Sequence, residues 1–202
     1  MSNSQVGTYK FEAFPFHLDV RGKLSMGVLG KHLLNCADAY AAERGFDVVE
    51  QGGEHYTWVL SRLAIELEDL PSRHESFSIQ TWVENVYRLF ADRNFVICNK
   101  DEKPIGYVRS VWAMISMETR NPANLLDLHG DRITNSICEK ECPIAKPGRI
   151  KVSQQEAVSE YVAKYSDLDI NGHVNSIKYI EHILDIFPLE TYKKKALKRF
   201  EI

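Results

Sequence analysis

The chain has 202 residues, 44% of them apolar and 26% charged, with a formal net charge of −3, an ordinary globular composition with room for one large domain or two small ones. No run approaches the roughly 18 uninterrupted apolar residues of a membrane span, no signal peptide opens the chain, and the slight acidity argues against a nucleic-acid partner, so a cytoplasmic protein without a membrane span is expected. Cys36, Cys98, Cys138 and Cys142 are too few for a disulfide framework, and Cys138 and Cys142, with His129 upstream, supply one tight ligand pair where zinc usually takes two, so no metal is expected.

Residues 6 to 18 alternate loosely and predict a first strand, closed by a turn at Arg21-Gly22. From Ser25 onward Met26, Leu29, Leu33, Cys36 and Tyr40 recur at intervals of three and four, the stripe of a helix buried on one side, and Arg44-Gly45 ends it. Thr57 to Leu67, Ser76 to Val83, Arg93 to Asn99 and Ile105 to Met117 are rich in β-branched and aromatic residues and predict strands, with a turn at Asp101-Glu102-Lys103-Pro104. An antiparallel run with one long apolar helix to cover packs most simply by wrapping around that helix, which is the α+β hotdog arrangement. Residues 119 to 153 hold Pro122, Pro143, Pro147, Gly130 and Gly148 among polar residues and are expected to form a linker or excursion rather than core.

A second unit follows. A strand is predicted over Glu156 to Tyr165, then a helix striped by Val174, Ile177, Ile180, Leu184 and Phe187 and stopped by Pro188. At an offset of 150, Leu18-Asp19-Val20-Arg21-Gly22-Lys23-Leu24 matches Leu168-Asp169-Ile170-Asn171-Gly172-His173-Val174, and His32 and Leu34 match His182 and Leu184. The match falls at the same strand-to-helix junction in both halves and indicates a duplicated fold. The organisation expected is therefore a first hotdog over 1–120, a linker over 121–153 and the start of a second hotdog over 154–202. Where the second copy carries Asn171 and His173, the first carries Arg21 and Lys23, permanently charged groups in place of groups suited to positioning and proton transfer, which assigns any chemistry to the second copy.

The stretch from Asp167 to Asn175 puts two carboxylates, an amide and an imidazole immediately before a helix N-terminus. A carboxylate or imidazole can draw a proton from water, an amide can orient that water, and N–H groups at a helix start can stabilise an oxyanion. Capping and turn roles account for the same residues equally well: Asp and Asn favour turns and caps, Gly172 suits a turn, and Asn175 could serve the first helical turn alone. Asp167 is expected to face solvent, and His173 is the residue least needed for capping.

The run Asp167-Leu168-Asp169-Ile170-Asn171-Gly172-His173-Val174-Asn175, continued by Lys178-Tyr179-Ile180 and Ile183-Leu184, resembles the signature of the acyl-ACP thioesterases. Thr81-Trp82-Val83, Arg93 before Phe95, Ser110-Val111-Trp112 and Thr119-Arg120 are similar to that family's first-domain pattern, in the same order. The resemblance implies a tandem hotdog without metal or organic cofactor that hydrolyses fatty acyl-ACP, the acyl carrier protein being its partner. In this arrangement the first domain shapes the acyl pocket and the second performs the chemistry. It also implies Asp169, Asn171 and His173 as catalytic positions, with Asn171 on the water or carbonyl, His173 hydrogen-bonding near the reacting centre and Asp169 orienting them. The family's further catalytic residue, an acid or a cysteine on a later strand, has no match before Ile202. The 48 residues from Gln155 to Ile202 cannot build a complete second sheet, so a fragment is expected, with a partly covered helix face that leaves room for a homodimer.

Lys193, Lys194, Lys195, Lys198 and Arg199 form a basic cluster that could meet an acidic carrier protein or simply be solvated, and Trp58, Trp82 and Trp112 are read as core before acyl channel. The absence of a Gly-x-Ser-x-Gly elbow speaks against a serine hydrolase. The competing readings are a non-catalytic acyl-binding module, an acyl-CoA thioesterase, and a hydratase on the same fold.

Overall fold

The computed structural model describes residues 5–149, 159–170 and 172–202. A strand β1 (Gly7–Glu12) leads through a short 3₁₀ turn at Pro15–His17 into the long helix α1 (Met26–Glu43). Strands β2 (Val49–Gln51), β3 (Glu54–Leu67), β4 (Ser76–Val86), β5 (Ala91–Cys98) and β6 (Pro104–Ser116) follow. The strand expected over 6 to 18 is thus shorter, because Pro15 has no N–H to give a ladder and fixes the φ that starts the turn. The sheet runs β1-β4-β5-β6-β3-β2, each neighbouring pair antiparallel, and curls around α1.

The stripe on α1 does the work its spacing predicts. Met26, Leu29, Leu33, Cys36, Ala37, Tyr40 and Ala41 are all buried, and Ser25 caps the helix by accepting the Val28 N–H at 3.3 Å. Leu63, Ile65, Phe77, Ile79, Phe95, Ile97 and Val108 pack with the first turns of α1 in one core cluster.

The stretch expected to lie outside the core belongs to it in two places. The short helices α2 (Leu125–His129) and α3 (Asp131–Thr134) bury Leu125, His129 and Ile133 against Tyr40 and Phe46, closing one end of the curl. The following residues cover the outer face of the sheet. There Trp82 is fully buried with Val96, Cys98, Cys142 and Ile144, and its Nε1–H donates to the Lys140 carbonyl at 2.9 Å. Arg109 anchors this cover by donating to the Cys142 carbonyl at 2.6 Å while pairing with Glu84 at 2.9 Å. The prolines of this segment forbid long regular elements but not burial of single apolar side chains.

Beyond Lys164 the chain forms a 3₁₀ turn at Tyr165–Asp167, helix α4 (Ser176–Asp185), helix α5 (Leu189–Lys194) and strand β7 (Arg199–Glu201). The strand expected over Glu156 to Tyr165 lies partly outside the described residues, and 159 to 164 form none. Ile177 and Ile180 are the buried residues of α4, and they join the α1 cluster. Burying two such side chains contributes about 1.5–3 kcal/mol each. Strand β7 pairs with the edge of β3 left open by the short β2, with Phe200 opposite Ile65, and so joins the same seven-stranded sheet.

Candidate active site

The loop before α4 is a closed hydrogen-bonded unit. The Asp169 N–H donates to the His173 carbonyl at 2.8 Å, the Gly172 N–H to the Asp169 carbonyl at 3.0 Å, and the Asn175 N–H to the Asp167 carbonyl at 2.8 Å. Gly172 has φ +72°, the left-handed region that favours glycine. Asn175 is the N-cap, its Oδ1 accepting the Ile177 N–H at 2.9 Å. Asp169 Oδ1 accepts the His173 N–H at 3.1 Å. Asn171 lies outside the described residues.

The first copy repeats the three backbone bonds of this loop. Asp19 N–H reaches the Lys23 carbonyl at 2.7 Å, Gly22 N–H the Asp19 carbonyl at 2.9 Å, and Ser25 N–H the His17 carbonyl at 2.9 Å, with Gly22 at φ +71°. The repeat extends to the side chains behind the loop: Phe11 lies 4.2 Å from His32 between ring centroids, and Tyr161 lies 3.8 Å from His182, both pairs at the same offset. The chemistry differs. Arg21 holds the Asp19 carboxylate through Nε at 3.0 Å and Nη2 at 2.7 Å, and Lys23 pairs with Asp69 at 2.9 Å, so the first loop is an internal ion-pair assembly.

Asp167 does not face solvent as expected. It is 2% exposed, and its Oδ2 accepts the Tyr161 hydroxyl at 2.8 Å and the Lys164 N–H at 2.7 Å. The Lys164 N–H, then the Tyr161 hydroxyl and the nearby His182, hold its carboxyl below the usual carboxylate range against an opposing effect of burial. His182 Nε2 is 3.3 Å from Oδ1, close enough for charge attraction, but the angle is too poor for a hydrogen bond. Asp167 therefore braces the loop from behind, and Asp169 and His173 sit on its open side.

That side opens on a cavity of about 330 Å³ between α1 and the inner face of the sheet. Exposed His173 and half-buried Asp169 stand at the rim, while buried Ala41, Phe46, Val83, Ala91 and Ile133 form the interior. Trp58 and Trp112 pack against the core clusters, as expected, and also line the cavity, whereas Trp82 is core on the opposite face. Arg93 brings a cation to the wall. Its Nη1 lies 3.5 Å from Thr81 Oγ1 and its guanidinium 4.6 Å from the Tyr40 ring centre, and burial pulls its pKa down to about 10, leaving it charged near neutrality.

At the rim, Arg120 Nη1–H donates to His173 Nε2 at 2.8 Å. In the sequence Arg120 belongs only to the pattern Thr119-Arg120. No local signal could join it to His173, since the two lie 53 residues apart.

The residues weighed for metal do not meet. His129 is stacked on Trp58, with Nε2 3.2 Å from Met114 Sδ, inside the curl, and Cys142 packs on the outer face. Burial lowers the His129 pKa to about 4. Among the described residues no helix is long and apolar enough to cross a membrane. The basic cluster is partly consumed within the chain, as Lys193 pairs with Glu190, Lys198 donates to the Glu68 carbonyl, and Arg199 pairs with Glu66 and Glu201; Lys194 and Lys195 are exposed.

Residues 5–130 match the family model of the acyl-ACP thioesterase N-terminal domain, and residues 150–202 match that of the C-terminal domain. The chain belongs to the acyl-ACP thioesterase family. It is similar to an acyl-ACP thioesterase from Bacteroides thetaiotaomicron of solved structure, at 60% identity and a TM-score of 0.89 over 98% of this chain and 79% of that one. It is also 30% identical over 156 residues to the chloroplastic oleoyl-acyl carrier protein thioesterase 2 of Arabidopsis thaliana, covering 71% of this chain and 42% of that protein. The 12:0-ACP thioesterase from Umbellularia californica, 16% identical, shares the fold at a TM-score of 0.79 over 98% of this chain and 76% of that one. The chain spans about two fifths of the length of the curated relatives it matches first, 42% in two of them. Its curled sheet around α1 is the hotdog fold of that family.

Proposed function

We propose that this chain hydrolyses the thioester of fatty acyl-ACP to release free fatty acid, with the first unit shaping the acyl pocket and the second carrying Asp169, Asn171 and His173 as its reactive groups. The observation that carries the reading is the meeting of a cavity lined mainly by apolar side chains with the 169–173 loop; in the proposed complex an acyl tail lies between α1 and the sheet with its thioester at Asp169 and His173. Water oxygen bonds to the thioester carbonyl carbon, the carbon–sulfur bond breaks, and the carrier's thiol takes up the proton that water gives up. Asp169 and Asn171 orient water and carbonyl, and donors at the loop and at the start of α4 meet the developing oxyanion. The exposed Lys194 and Lys195 are placed to attract an acidic carrier protein. Free thiols at all four cysteines suit a reducing cytoplasm.

The test is thiol release from acyl-ACPs of several chain lengths by this chain and its Asp169→Asn, Asn171→Ala and His173→Ala variants. Loss of turnover in each variant, with thermal stability kept, is the expected result. Hydrolysis equal to wild type in all three would remove the site, and binding of acyl-ACP without any turnover would replace the enzyme with an acyl-binding module.

A further inference from the structure

We infer that Arg120 is a positioning residue that fixes the His173 imidazole in the tautomer protonated at Nδ1, so that His173 serves as a hydrogen-bond donor and not as the proton acceptor. The inference rests on the proposed role of His173 in thioester hydrolysis.

A guanidinium has only donors. The 2.8 Å contact from Arg120 Nη1 therefore requires a lone pair on His173 Nε2 and leaves the ring proton on Nδ1. A histidine acting as general base must offer an unoccupied lone pair to water. Here the lone pair of Nε2 is engaged by Arg120 and Nδ1 carries hydrogen. What the ring can give is the Nδ1–H, the kind of group that stabilises charge developing on a thioester oxygen. Proton acceptance from water then falls to a carboxylate.

The backbone of Arg120 is held for this contact. Its φ is +62°, uncommon for a residue with a side chain, in a turn closed at both ends. The Arg120 N–H donates to the Ser116 carbonyl at 2.9 Å, the Ser116 N–H to the Asn121 carbonyl at 3.0 Å, and the Thr119 N–H to Ser116 Oγ at 3.0 Å. The turn follows β6 in the first unit, so a strand end of one repeat sets the imidazole of the other. In the first copy the matching position is Lys23, a cation on Asp69.

Long-range ¹H–¹⁵N correlation spectra of histidine-labelled protein report which ring nitrogen carries hydrogen, independently of activity. Wild type should show Nδ1–H at His173, and Arg120→Lys, which still donates, should retain it. Arg120→Glu, which accepts, should convert His173 to Nε2–H. Arg120→Gly relieves the positive φ yet removes the donor, so a merely structural role predicts an unchanged tautomer there, whereas the inference predicts its loss. In acyl-ACP hydrolysis, Arg120→Glu should lower kcat about 10²-fold, the scale of one lost oxyanion donor, with KM changed less than about twofold and Arg120→Lys recovering most of the rate. Nε2–H in the wild type, or one tautomer throughout the series, would overturn the inference. A rise in KM alone that vanishes at high salt would also overturn it and make Arg120 a docking cation for the carrier's phosphate. Wild type without turnover would refute the hydrolase reading, while the tautomer series would still decide the role of Arg120.

Discussion

The seating of α4 on α1 can be tested through one pair of residues, Gly30 and Ile177. A Cβ placed on Gly30 would lie 2.6 Å from Ile177 Cδ1 and 3.2 Å from its Cγ2, and Ile177 is 1% exposed, so its methyl group occupies the space the glycine leaves open. Gly30→Ala in the wild type gains about 0.8–1 kcal/mol of helix propensity but meets an overpacking cost of about 1–3 kcal/mol, a net loss of about 1 kcal/mol. Ile177→Ala alone should cost about 2–5 kcal/mol through lost burial and the void left behind. In that background the added methyl on residue 30 enters empty space and only the propensity gain remains, so the same Gly30→Ala substitution now stabilises by about 1 kcal/mol. The coupling is then about 2 kcal/mol, within the range for residues in contact. Urea unfolding followed by tryptophan fluorescence measures all four proteins, and each 1 kcal/mol should also move Tm by about 2–4 °C in a chain of this size. An effect of Gly30→Ala equal in sign and size in both backgrounds would mean that α4 does not rest on α1 through this contact.

Two further outcomes follow from the cavity and the brace. The pKa of Asp167 is depressed in the folded chain, so its stabilisation is complete above the ordinary unfolded value of about 3.9 and is lost as pH falls through the lower folded value. The stability gap between wild type and Asp167→Asn should therefore narrow between neutral pH and pH 3, and urea midpoints showing a constant gap would refute the bracing role. Ala41→Leu places bulk inside the cavity and should shift turnover toward shorter acyl chains, by about fourfold for each methylene excluded at about 0.8 kcal/mol apiece. An unaltered chain-length profile in the thiol-release assay would separate this cavity from acyl binding.

The order of elements was written in the sequence because periodicity is a local property. The α1 stripe from Met26 to Tyr40 became a buried helix face, and the β-branched runs became β3 to β6 within a few residues of their expected ends. The 150-residue offset was legible too, since the duplicated loop needs the same aspartate and the same positive-φ glycine in both copies. The contrast between the two loops, Arg21 and Lys23 against Asn171 and His173, is likewise read from the sequence. Only the tertiary structure decided how distant segments meet. It closed the curl with Leu125 and Ile133 from a proline-bearing stretch, turned Trp58 and Trp112 toward the cavity and Trp82 away, and buried Asp167 behind the loop. It also laid β7 on the edge of β3 and brought Arg120 to His173. The reason is physical: local pattern fixes a segment's conformation and which of its residues share a face, but what that face meets depends on how whole elements pack, and that packing is set by residues far away along the chain.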